Sequence, residues 1–219
     1  MKKVLTVFVL MVTPVILFAQ GTVVFQNLTG LVQRWTSVSN SSLDPVPAGG
    51  GYVQLITTPK GNPLLHPLGI YEGSAGFLPG YASLAGFLAA NPGWAVPQAP
   101  VPITAAPGMF NGGGATIYNI AEGAYADYVV IGWTGPYADY DAAYAAAMAN
   151  PNSSFLGMSA IATTATGDPM PYGGPPGTPI NLNLTFQGMT LAPALVPEPT
   201  TLSLIALGAV LLLLFRPRG

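Results

Sequence analysis

Glycine and proline punctuate this chain from end to end, 27 and 23 of them in 219 residues. Inside a helix a glycine costs about 1 kcal/mol and a proline about 3 kcal/mol relative to alanine. That density favours short strands joined by turns over long helices. Charged residues make up only 6% of the chain, against roughly 25% in an average soluble domain. Disorder goes with low hydrophobicity and high charge, so this composition allows a packed core of one ordinary domain. Cysteine is absent, which excludes disulfides, thiol catalysis, haem attachment and cysteine zinc sites.

Strand patterns dominate the body between residues 20 and 195. In "INLNLTFQ", Ile180, Leu182, Leu184 and Phe186 alternate with polar residues. The period of two predicts a half-buried strand with Leu184 in the core. "TVVFQNL", "GYVQLI" at 51–56, "ATIYNI" at 115–120 and "YADYVVIGW" at 125–133 predict further strands. In the last, Tyr125, Val129, Ile131 and Trp133 share one face, which Asp127 interrupts. The glycine runs at 49–51 and 112–114, and "DPMPYGGPPGTP" at 168–179, predict loops. "PYADYDAAYAAAMAN" predicts a helix with Pro136 in its first turn, Thr134 or Gly135 as its cap, and a stop at Asn150-Pro151. "YASLAGFLAANPG" at 81–93 predicts a second, shorter one. Together these predict a mostly β chain, a single β-sandwich-like domain with one or two short helices.

The candidate chemistry is sparse. His66 is the only histidine; proline flanks it, and no G-x-S-x-G elbow accompanies it, so a Ser-His-Asp triad has no support. One histidine without cysteine does not make a zinc site, and neither a metal nor a cofactor is expected. Asp127, Asp139 and Asp141, with Glu122 near, form the densest acidic patch. They are the only candidates for a secreted hydrolase or a calcium site, yet Asp139 and Asp141 do not face each other on a helix. Six of the ten tyrosines lie between 118 and 144, beside Trp133. Such aromatics fill a core, or else stack on sugar rings. Trp133, Tyr128, Tyr137 and Tyr140 are therefore the candidate residues for a carbohydrate-binding module. The N-x-S/T sequons at Asn27, Asn40, Asn152 and Asn183 fit coincidence in a chain rich in Asn, Ser and Thr.

Charge placement bears on partners. Lys2 and Lys3 open the chain, Arg216 and Arg218 close it, and only Arg34 and Lys60 lie between. Against seven acids, those two leave the middle at about −5. That disfavours nucleic acid and anionic lipid, both of which need a cationic face.

"MKKVLTVFVLMVTPVILFAQG" has the three parts of a secretory signal: a basic start, an apolar run over Val4–Phe18, and the small residue Ala19 before the cut. Residues 1–19 are therefore expected to be removed from an exported chain. At the other end Leu202–Phe215 carries no charge. Counted from Thr200 it would span roughly 24 Å as a helix, a little short of the roughly 30 Å bilayer core. Arg216 and Arg218 follow at once, as expected for a transmembrane helix whose C-terminus stays cytoplasmic. Val196-Pro197-Glu198-Pro199 stands before it, held extended by its prolines.

In that order, motif, apolar helix and basic cluster resemble the PEP-CTERM sorting signal, here over residues 196–219. The resemblance implies a substrate of exosortase, a membrane-embedded protease or transpeptidase of certain Gram-negative bacteria. It further implies a membrane-anchored intermediate, then release to the cell surface or the extracellular matrix, where exopolysaccharide is a candidate partner. "QGTVVFQN", "GAYADYVVIGWTGPYADYDAAY" and "NLNLTFQGMTLAPALVPEP" in the body resemble exported members of the same family, which implies no particular activity. The expectation is a non-enzymatic exported protein with a structural or adhesive role. The alternatives are a carbohydrate-binding module of the matrix and a secreted hydrolase.

Overall fold

The computed structural model describes residues 20–65, 83–104, 106–167 and 179–194. The signal segment, His66, most of the 168–179 loop, the Val196–Pro199 motif, Leu202–Phe215, Arg216 and Arg218 lie outside the described residues. The chain is mostly β. Its strands are β1 (Gln20–Gln26), β2 (Val32–Ser37), β3 (Asn40–Pro45), β4 (Gly51–Pro59), β5 (Val101–Pro102), β6 (Asn111–Ala121), β7 (Tyr125–Thr134), β8 (Phe155–Met158), β9 (Ala162–Ala165), β10 (Ile180–Asn181) and β11 (Met189–Pro193). Helix α1 (Leu84–Ala90) falls between β4 and β5, and α2 (Tyr140–Ala149) between β7 and β8.

The larger sheet runs β3-β2-β11-β8-β7-β4-β5, with β9 also on β7; the smaller runs β10-β1-β6. β7 is the spine. It pairs antiparallel with β4 from Gly51↔Thr134 to Pro59↔Ala126, and its other edge takes β8 and then β9. Side chains alternate across it. Tyr128 and Val130, with Val53 and Leu55 of β4, join a cluster with Val23, Phe25, Ala115 and Ile117 of the smaller sheet. Val129, Ile131 and Trp133, with Ile56, join a second cluster under Phe87 of α1 and Tyr140, Ala143 and Ala147 of α2. The larger sheet is thus covered on both faces, by a sheet on one side and helices on the other. A strand so placed has no wet face, and β7 is buried from Ala126 to Thr134. Each large apolar side chain so buried contributes about 1.5–3 kcal/mol, and these clusters do the work that disulfides do elsewhere.

The two ends of the described body lie apart. Gln20 stands opposite Ala121, at the turn between β6 and β7. β11 finishes with Pro193 opposite Phe155, and Leu156 pairs in turn with Trp133, at the far end of β7.

Three local expectations need correction. The strand expected over 180–187 is only β10; Leu182–Leu184 forms a turn of 3-10 helix. The Asn181 side chain accepts from Asn183 N–H, offering the backbone an alternative to a ladder. Leu182 and Phe186 remain buried, but Leu184 is 76% exposed. The glycines at 112–114 lie inside β6 rather than in a loop. Finally, α2 begins at Tyr140 with Asp139 as its cap, accepting from Ala142 N–H at 2.8 Å, not at Pro136. Trp133 Nε1 donates to Tyr137 O and ties down the turn before the helix. Tyr-Ala-Asp-Tyr occurs twice, at 125–128 and 137–140; the first copy opens β7 and the second leads into α2.

Candidate functional site

Where the aromatics stand decides what they can bind. Trp133, Tyr128 and Tyr140 are each at most 1% exposed, and Tyr137 is half-buried. The Trp133 ring lies against Tyr52 and Tyr140. The Tyr128 hydroxyl meets Thr185 Oγ1 at 2.7 Å, and burial pushes its pKa up to about 12. Burial raises Tyr140 further, helped by Tyr144 and Asp141. A sugar needs an open ring face, and Trp133, Tyr128 and Tyr140 present none: their rings are packed in the core. Among the described residues the exposed tyrosines are Tyr118 and Tyr125, and Lys60 Nζ lies over the Tyr125 ring.

The carboxylates are equally committed. Asp127 is 8% exposed and accepts from Gly61 N–H and the Thr163 hydroxyl. Asp139 caps α2. Asp141 accepts from Leu84 N–H at 2.7 Å, fastening the start of α1 to α2. Seven residues of strand, about 23 Å at the usual rise, separate Asp127 from Thr134, where the chain leaves for α2. Among the described residues no group of three His, Cys, Asp or Glu could hold a metal ion.

A third region brings together two of the four sequons, a contact that no local pattern in the sequence marks. "Asn-Leu-Thr" occurs at 27–29 and again at 183–185, and the two copies meet. Asn183 Oδ1 accepts from Leu28 N–H at 2.8 Å and from the Thr29 hydroxyl. Asn27 is 1% exposed; its amide donates to Gly30 O and Gly108 O, and its Oδ1 accepts from Phe110 N–H at 2.6 Å. The Asn183 bonds hold the 27–31 loop against the chain leading to β11, and the Asn27 bonds brace that loop and tie it to Gly108 and Phe110. The approach is so close that a Cβ on Gly30 would stand 2.4 Å from Gly188 N. Between the loops lies an open cavity of about 270 Å³, lined by Thr29–Leu31 and Gln33 on one side and Gln187–Met189 on the other. Leu28 and Leu184, 55% and 76% exposed, stand on the loops that form it. The lining has amide, hydroxyl and peptide groups but no titratable side chain. It can hydrogen-bond a neutral ligand and cannot do acid–base chemistry.

No protein-family model, no curated protein and no solved structure matches this chain. Among the described residues no helix is long and apolar enough to cross a membrane; the Leu202–Phe215 run lies outside them.

Proposed function

We propose that this is a non-enzymatic exported protein, delivered by exosortase to the outer surface or the extracellular polysaccharide matrix, with a structural or adhesive role. The observation that carries the proposal is the ordered tail: Val196-Pro197-Glu198-Pro199, the uncharged run Leu202–Phe215, then Arg216 and Arg218. A non-enzymatic body agrees with it, because Asp127, Asp139 and Asp141 are each spent on backbone N–H groups. Glu198→Ala leaves the apolar run whole and removes the motif's charge, so an uncut form should collect in the membrane fraction of cells that carry exosortase. The intact mass of released wild-type protein decides the matter. A mass that still includes Arg216 and Arg218 makes the tail a permanent anchor and defeats the proposal.

A second reading, a carbohydrate-binding module, is favoured by one observation, the cavity between the Asn27 and Asn183 loops. Its neutral donors and acceptors suit the hydroxyls of one sugar unit, and the exposed leucines beside it offer apolar surface. Polysaccharide pull-down should then weaken in Gln33→Ala and Gln187→Ala. Capture that survives both changes places any binding elsewhere.

A further inference from the structure

The first described residue, Gln20, is the residue that signal-peptide removal after Ala19 would expose as a new N-terminus. An N-terminal glutamine carries a nucleophilic amine and, on the same residue, an amide carbonyl at ring-closing distance. Gln20 heads β1 and is half-buried there. From Gly21 onward β1 is held in place: Gly21↔Ile117, Thr22↔Thr116 and Val23↔Ala115 pair in steady register. On its other edge Thr22 exchanges two backbone bonds with Gly167, and Gly21 is wedged so tightly that a Cβ there would lie 2.4 Å from the Thr166 side chain. Gln20 stands just outside that frame. The register shifts between Gln20 and Gly21, opposite a strand bent by Asn119, whose φ is +62°, and Gln20 is only half-buried. Gln20 still pairs with Ala121, but across the shift, so the steady register begins at its neighbour.

We propose that the exported protein carries a pyroglutamate at position 20, formed from Gln20 itself. The proposal rests on the export reading above. The neutral α-amine attacks the side-chain Cδ, a new C–N bond closes a five-membered lactam, the Cδ–Nε2 bond breaks, and the side-chain nitrogen leaves as ammonia with its own two protons and one from the attacking amine. No oxidant, metal or second substrate enters the balance. The lactam keeps one N–H donor at the head of β1 and discards the α-ammonium, a group of pKa about 8. The mature chain becomes one charge more negative at neutral pH and offers no free amine to an aminopeptidase.

The test is mass spectrometry of the N-terminal peptide from full-length protein exported by its native host, digested without acid exposure, with stepwise N-terminal sequencing alongside. The peptide should begin at residue 20 and be lighter than its Gln20 form by one ammonia. Sequencing should be blocked until pyroglutamyl aminopeptidase removes the ring, and should then read from Gly21. A Gln20→Asn chain, which would need a strained four-membered ring, should show a free amine and full mass. A wild-type peptide that starts at Gln20 with a free amine overturns the cyclisation and leaves export standing. A peptide that starts elsewhere, or keeps Met1, overturns the cleavage reading and the cyclisation with it.

Discussion

Asn27 should be among the most sensitive polar positions in the molecule. Truncation to alanine removes three hydrogen bonds at once, to Gly30 O, Gly108 O and Phe110 N–H. Gly108 O still accepts from Val32 N–H, so the uncompensated losses are the Phe110 N–H and the Gly30 carbonyl. A buried polar group left without a partner costs about 1–3 kcal/mol. With some relief by water, Asn27→Ala should lose about 2–4 kcal/mol. In a body of this size that lowers the melting temperature by about 5–15 °C. Asn27→Asp should be at least as harmful, because it turns a donor aimed at two carbonyls into an acceptor and buries a charge. Asn183→Ala, whose partners Leu28 and Thr29 are exposed, is the control and should cost about 1 kcal/mol or less. Thermal and urea unfolding of the three variants against wild type supply the measurement. If Asn27→Ala matched Asn183→Ala, the buried amide would not be holding the loops, and the argument would fail.

Leu184→Ala should change stability by less than about 0.5 kcal/mol because the side chain is mostly in water, while Phe186→Ala, 3% exposed, should cost about 3–5 kcal/mol; equal melting shifts would restore the period-two strand. Asp139→Ala should cost about 0.5–2 kcal/mol through loss of the α2 cap, and Asp139→Asn much less, as read by unfolding curves. Alkaline titration tests the buried phenols. An unfolded tyrosine ionises near pH 10 and Tyr128 near 12, so this contribution is complete below pH 10 and is lost as pH rises through about 12. Absorbance should show fewer tyrosines ionising near pH 10 than the chain contains, with the remainder titrating only as the fold opens; a full complement near pH 10 in folded protein would contradict the burial of Tyr128.

Strands with continuous apolar runs could be read from sequence because two layers bury them. β4 and β7 carry branched and aromatic residues on both faces, so their type did not depend on a subtle period, although β4 runs on to Pro59, past the expected end at Ile56. The Ala-rich α2 was equally plain, but its start was not. The pattern pointed to Thr134 or Gly135 as the cap, whereas Asp139 takes that place by accepting from Ala142 N–H. At 180–187 perfect alternation misled, because one asparagine side chain outcompeted a ladder. The same reason hid the cavity. Asn27 reaches Phe110 across 83 residues, and no local pattern announces a bond of that separation. Trp133 and Tyr140 could not be assigned to core or surface until the helical layer over β7 was in place.

The route by which the chain leaves the body has a mechanical meaning. β11 is an interior strand, bonded to β2 through Met189–Leu191 and to β8 through Ala192 and Pro193. A tug on the residues that follow enters the sheet through its middle, where two ladders share the load, instead of peeling an edge strand one bond at a time. β1 has the same standing at the opposite end, between β10 and β6. Tension between the two ends therefore passes through the core of the fold, leaving the edge strand β3 outside the line of force.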